Sequence, residues 1–138
     1  MKIRQFRLDD YATVFDLWKK AGLLIMDGDE PEGVKLKLQR DPELFLVAKD
    51  NGEIVGTVMG AWDGRRGWIY HLAVRADHLR EKIGAKLVTE VERRLIEKGA
   101  KRSVGPFDSN DRSLKFFKAA GYEAETNLVL VHKPLKKP

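Results

Sequence analysis

Apolar runs alternate along this chain with apolar residues repeating at helical spacing, and glycines and acidic turns separate the two patterns. Ile3 and Phe6 mark a short opening strand, Lys2 to Arg7. Asp9 or Asp10 then offers a helix N-cap, and Val14, Leu17 and Trp18 recur at helical spacing until Gly22 ends the run. A loose acidic stretch follows, with Asp27, Asp29, Glu30 and Glu32 around Pro31. It opens a second short helix through Val34, Leu36 and Leu38 to Arg40.

Two clear strands come next. Leu44 to Lys49 is apolar, Asp50-Asn51-Gly52-Glu53 reads as a turn, and Ile54 to Trp62 returns as the hairpin partner. Gly64 to Gly67 makes another turn, and Trp68 to Val74 has the composition of a buried strand. From Ile83, the positions Leu87, Val91 and Leu95 repeat every four residues up to Gly99, the strongest helical signal in the chain. Ser103 to Phe107 reads as a strand, and Asp108-Ser109-Asn110 caps a helix that carries Leu114, Phe116 and Phe117 and stops at Gly121. Tyr122 to Glu125 and Leu128 to Val131 are expected to close the sheet. The resulting order is β-α-α-β-β-β-α-β-α-β-β, an α/β (α+β) fold with a mixed sheet and helices on both faces.

Composition narrows the class. A length of 138 residues with no internal repeat or linker implies one domain, residues 1–138. With 43% hydrophobic and 34% charged residues the chain is globular rather than disordered. No apolar run approaches the ~18–20 residues that span a bilayer, and Arg4, Arg7, Asp9 and Asp10 interrupt any signal-peptide core. These features point to a cytoplasmic protein with no membrane partner. The absence of cysteine excludes a disulfide framework, a thiolate zinc site and a cysteine nucleophile. His71, His78 and His132 lack ligand spacing, so no metal is expected. The net charge of +5 is modest, and Lys133, Lys136 and Lys137 supply much of it. Nucleic acid is disfavoured as a partner, because the chain has neither zinc-finger spacing nor an aromatic-basic repeat.

The segment Ile69 to Glu97 carries the chemistry. A strand ending in Leu72-Ala73-Val74 gives way to a basic loop, Arg75 to Lys82, and a helix starts at Ile83-Gly84. Free N–H groups at such a helix start attract anions, glycine lets a phosphate approach, and Arg80, Lys82 and Lys86 add positive charge. The competing reading is an ordinary strand-loop-helix connection with surface lysines.

Three stretches then match one family in order and without gaps. FLVAKDNGEIVG (Phe45 to Gly56) is similar to the second-strand hairpin of the GNAT superfamily of acetyl-CoA-dependent N-acetyltransferases. IYHLAVRADHLREKIGAKL (Ile69 to Leu87) resembles its acetyl-CoA motif, and NDRSLKFFKAAGY (Asn110 to Tyr122) its closing helix. The resemblance implies the GNAT fold, with a mostly antiparallel central sheet, and acetyl-CoA as donor. The pantetheine arm would lie along Leu72, Ala73 and Val74 as an added strand does, with the pyrophosphate on Leu79, Arg80, Glu81, Lys82, Ile83, Gly84 and Ala85. Asn110, Phe116 and Phe117 would complete the donor site. An amine would attack the thioester directly, with no enzyme nucleophile, metal or redox cofactor. The alternative within the same fold is a CoA-binding module with little catalysis.

The departures from the family pattern matter equally. Leu79 and Lys82 stand where the family commonly has Arg and the first glycine of its phosphate loop; Lys82 either crowds the pyrophosphate or donates its ammonium to it, and the second is the preferred reading. Phe117 falls at the family's frequent tyrosine acid and has no proton to give. Gly67 to Val74 contains no carboxylate to serve as base, and Gly105 leaves the neighbouring strand without one. His71 is the best remaining base, since an imidazole ordinarily titrates near neutral pH, and Tyr70 is the second choice. Both are equally open to a plain packing role. The acceptor, a small-molecule or peptide amine, is not fixed by fold. The acidic stretch Asp27, Asp29, Glu30 and Glu32 suits a cationic amine, or else simply favours the first turn of a helix through its dipole. The short Thr126-Asn127 connection either leaves an open groove or calls for a second subunit, a homodimer, to complete it.

Overall fold

The structure is a computed structural model that describes residues 1–107 and 112–136, with backbone alone at residues 80, 81, 112 and 113. The chain divides into two compact units, Met1–Gly105 and Pro106–Pro138.

In the first unit, β1 (Lys2–Gln5) leads through a short 3-10 turn, Leu8–Asp10, into α1 (Tyr11–Lys20) and then α2 (Pro31–Arg40). Strands β2 (Phe45–Asp50), β3 (Glu53–Trp62) and β4 (Gly67–Val74) follow, then α3 (Ile83–Lys98) and β5 (Ser103–Val104). The five strands lie in chain order, antiparallel except that β4 and β5 run parallel. The mixed, mostly antiparallel sheet expected from the sequence is therefore present. The expected Asp50–Glu53 turn is a two-residue hairpin, with Asn51 at φ 51° and Gly52 at φ 80°, the left-handed pair that matches strand twist. At the chain's start, the Arg4 guanidinium grips Asp10 with two bonds of 2.8 and 2.9 Å, and the Arg7 N–H adds a third at 2.8 Å.

The two faces of the sheet are packed differently. On one face Phe6, Val14, Leu17, Trp18, Val34, Phe45, Val47, Met59 and Ala73 form a core that joins α1 and α2 to the strands. On the other, α3 sits close because the strands present glycines to it. A methyl added at Gly56 would meet Ile83 at 2.9 Å and Leu87 at 3.0 Å, one at Gly60 would meet Val91 at 2.8 Å, and one at Gly67 would meet Leu95 at 2.5 Å. The four-residue repeat of α3 thus seats itself against three glycines, which fixes where the first turn of the helix stands relative to the end of β4. At its other end Gly99, at φ 109°, caps α3 by donating to the carbonyls of Ile96 and Leu95. Among the described residues no helix is long and apolar enough to cross a membrane.

Two expectations need correction. The strand expected over Ser103 to Phe107 stops at Val104, just before Pro106, which lacks the N–H a ladder needs. The two closing strands, Tyr122 to Glu125 and Leu128 to Val131, do not form. The second unit contains α4 (Arg112–Ala119) and, among its described residues, no strand. Leu128, Val129, Leu130 and Val131 are each more than 70% exposed. Strand propensity stabilises a segment only when a neighbour pairs its backbone and covers its side chains, and this run has neither. Within this unit the Phe117 ring stacks on Phe107 at 4.4 Å and meets Phe116 and Tyr122 edge-on at 5.2 and 5.1 Å.

Because the Gly67 contact is the tightest of the three, Gly67→Ala is expected to destabilise the protein by about 1–3 kcal/mol, the usual effect of overpacking a tight site. Urea unfolding measures it. A change within about 0.5 kcal/mol, ordinary for an exposed site, would mean that α3 can slide outward at no cost.

Candidate active site

The site is built around an irregularity in β4. Thr57 pairs with Ala73 and Met59 with Tyr70, so Val58 of β3 faces two residues of β4, His71 and Leu72. The extra residue is a β-bulge, and His71 accommodates it at φ 52°, a conformation that costs a non-glycine residue roughly 1–3 kcal/mol. The bulge also breaks the alternation of the strand. Tyr70 and His71, adjacent in sequence, have touching rings, edge-to-face with centroids 5.5 Å apart. The His71 ring also meets Trp18 of α1 edge-on at 4.9 Å. Both aromatic neighbours belong to the α1–α2 face of the sheet.

His71 is anchored at one nitrogen. Its Nε2 lies 2.9 Å from each carboxylate oxygen of Asp29, with the two side chains 17% and 10% exposed. Asp29 stands just before α2 and is itself tied down. Its carboxylate accepts the Met26 N–H at 3.0 Å, and its backbone carbonyl accepts the Tyr11 hydroxyl at 2.7 Å. Among the described residues the other imidazole nitrogen, Nδ1, has no hydrogen-bond partner. Burial, with Asp41 and Asp29 nearby, pushes the Tyr70 phenol above its ordinary range, so Tyr70 keeps its proton near neutral pH. Of the two residues nominated from the sequence, only His71 can accept a proton there.

The acidic stretch separates on inspection. Asp29 is buried against His71, whereas Asp27, Glu30 and Glu32 are exposed. Glu30 accepts the Gly28 N–H at 2.8 Å, and Glu32 pairs with Lys35 at 3.6 Å on α2.

The loop between β4 and α3 is anchored by ion pairs. Arg75 bonds Glu53 at 2.9 Å and Asp77 at 2.8 Å, and His78 lies 2.7 Å from Asp77 and 3.4 Å from Asp50. These contacts tie the loop to the β2–β3 hairpin and occupy both Arg75 and His78. Ala76–Glu81, including Arg80 and Glu81, forms a 3-10 turn, and Lys82 then adopts φ 59° and ψ 25° immediately before α3. Lys82 therefore holds the left-handed backbone that a glycine would take without strain. A surface depression of about 420 Å³ runs along the start of α3, lined by Ile3, Lys82, Ala85, Lys86, Thr89, Glu90 and Arg93. Leu72, Ala73 and Ile83 are buried, so they offer a ligand backbone rather than side chain, and Leu79 is exposed. Val74 and Gly84 are half-buried. Asn110 lies outside the described residues, and Phe116 and Phe117 belong to the second unit.

A family model described as Acetyltransferase (GNAT) family matches residues 10–122. The chain belongs to the GNAT acetyltransferase family. A curated acetyltransferase of Sodalis glossinidius is 37% identical over 136 residues, covering 98% of this chain and 96% of its own length. One from Pectobacterium atrosepticum is 40% identical over 124 residues, covering 89% and 88%. With relatives so named over nearly its full length, this GNAT protein is an acetyltransferase. Its fold is also that of the PaiA N-acetyltransferase from Thermoplasma acidophilum, solved in complex with coenzyme A, with a TM-score of 0.76, 18% identity and 90% of each chain covered.

Sequence reasoning missed Asp29 as the partner of His71. The carboxylate lies 42 residues away in the chain, and strand alternation would place His71 on the opposite face of the sheet from Tyr70. In the loop before α3, Lys82→Gly should stabilise the enzyme by about 1 kcal/mol by relieving the left-handed backbone. Denaturant unfolding reads this, and a loss of stability would show that the Lys82 side chain outweighs its strain.

Proposed function

We propose that this GNAT enzyme transfers the acetyl group of acetyl-CoA directly to a primary amine, with His71 as general base. The observation that carries the reading is the β4 bulge, which brings a proton-accepting imidazole beside Tyr70 on a strand that otherwise holds no ionisable base. The match to the family model spans residues 10–122, and so crosses both compact units, which supports reading residues 1–138 as one catalytic domain.

The donor side rests on backbone and charge. Leu72 to Val74 offer strand N–H and carbonyl groups to the pantetheine arm, as in strand addition. The turn from Leu79 to Ala85 would hold the pyrophosphate, with the start of α3 and the exposed Lys82 and Lys86 supplying positive potential. The coenzyme A in the PaiA structure is consistent with this donor. The family resemblance adds Asn110, Phe116 and Phe117 as further candidates for contact with the donor.

The chemistry balances as follows. An incoming ammonium gives one proton to His71, and the neutral amine attacks the thioester carbon. A backbone N–H near the end of β4 stabilises the developing oxyanion. The C–N bond forms, the C–S bond breaks, and the second amine proton ends on the CoA sulfur, leaving an amide and a thiol. Phe117 cannot deliver that proton, so water carries it, and a thiol of ordinary pKa, about 8–9, leaves readily enough for this to suffice. Tyr70, protonated, orients the acceptor by donating a hydrogen bond. The exposed Asp27, Glu30 and Glu32 favour a cationic acceptor, a polyamine or a lysine-rich peptide.

Release of free thiol from acetyl-CoA in the presence of an amine panel tests the reading. Turnover is expected with cationic amines, and a bulky residue at Gly84 should abolish CoA binding. His71→Ala should lower kcat by roughly 100-fold, the usual contribution of a general base. CoA binding without thiol release from any amine would instead favour the second reading, a CoA-binding module, which the missing tyrosine at Phe117 supports.

A further inference from the structure

We infer that Asp29 is the positioning residue of this acetyltransferase: its carboxylate holds the proton on Nε2 of His71 and so makes Nδ1 the atom that takes the proton from the amine. This rests on the assignment of His71 as base.

The geometry is specific. Both oxygens of Asp29 stand 2.9 Å from Nε2, an arrangement an ionised carboxylate makes with an N–H and not with a bare ring nitrogen. Asp29 cannot easily turn away, since the Met26 N–H and the Tyr11 hydroxyl fix its carboxylate and its carbonyl. The ring is fixed as well, by the edge of Trp18 and by the strained backbone of its own bulge. Strain of this kind persists only where surrounding contacts hold it, and Asp29 is the polar contact that does so here. The groups that face the pair are few in kind. Tyr70 comes from β4 and Tyr11 from α1. Burial raises both phenols, with Asp29 adding to the effect on each, Asp41 acting on Tyr70 and Glu30 on Tyr11. Both therefore stay neutral, and Asp29 supplies the negative charge against which an imidazolium forms.

The consequence for catalysis follows the logic of an acid-oriented histidine. Before reaction the carboxylate selects one tautomer. As Nδ1 takes the proton, the new positive charge lies 2.9 Å from the carboxylate, which stabilises it. The same Asp29 ties the segment ahead of α2 to β4.

Two measurements test the inference. In the neutral-imidazole form of the wild-type enzyme, the ¹⁵N shifts of His71 should show Nε2 protonated and Nδ1 bare; the opposite tautomer overturns the inference whatever the variants do. In Asp29→Asn, which keeps the Met26 bond, kcat is expected to fall roughly tenfold or more with little change in acceptor KM. In the same variant the ¹⁵N shifts should show the proton no longer held on Nε2 alone, because the amide can present either its oxygen or its nitrogen to the ring. An unchanged tautomer in that variant overturns the inference even if kcat falls, since loosening of the segment alone would produce that. His71→Ala separates the two levels of the argument. If it lowers kcat while Asp29→Asn leaves the tautomer unchanged, Asp29 is structural and His71 stays the base; if His71→Ala keeps wild-type turnover, the base assignment itself fails.

Discussion

Val58 of β3 faces two residues of β4, and the second is accommodated only because His71 takes a left-handed backbone conformation. The rest of the site depends on this one constraint. In a regular strand Tyr70 and His71 would point to opposite faces, and His71 would meet the tightly seated α3 instead of Trp18 and Asp29. The bulge exchanges a modest backbone strain for an imidazole placed on the α1–α2 face beside a buried carboxylate. Local strain that survives in this way is held by contacts that would be lost if it relaxed.

The two faces of the sheet divide the work. On the α3 side, glycines at 56, 60 and 67 let the helix approach until its side chains leave no room for a methyl group. That close seat sets the first turn of α3 beside the end of β4, where the donor's anionic part is expected. The loop between them is braced by Arg75 on Glu53 and Asp77. On the α1–α2 side the packing is aromatic, with Phe6 stacked on Phe45 at 4.1 Å and Trp18 between Phe45 and His71. One face is thus set by a close helix seat and the other by stacked aromatic rings around a buried imidazole–carboxylate pair.

Much of this was legible in the sequence because it rests on local patterns. The four-residue repeat of Leu87, Val91 and Leu95 announces α3, the Asn51-Gly52 pair announces the hairpin, and the three matching stretches announce the GNAT family. What was not legible depends on pairing at a distance. A one-residue bulge leaves no mark on composition, so His71 could be nominated only for its chemistry. Its partner could not be named, and Asp29 read simply as one acid among four. The closing run Leu128 to Val131 misled for the same reason: its residues favour strands, but no propensity records whether a neighbouring edge pairs with them. Lys82 is intermediate. Its departure from glycine was visible, and its left-handed backbone shows that the substitution keeps the conformation at the expense of strain.

The central claim is that the β4 bulge turns His71 onto the face of the sheet that carries Trp18 and Tyr70. Nuclear Overhauser effects from the His71 ring protons test it directly. The account predicts cross-peaks to both the Trp18 and Tyr70 rings, as their centroid separations of 4.9 and 5.5 Å require. Cross-peaks to the Val91 or Leu95 methyls of α3, with none to Trp18, would contradict it.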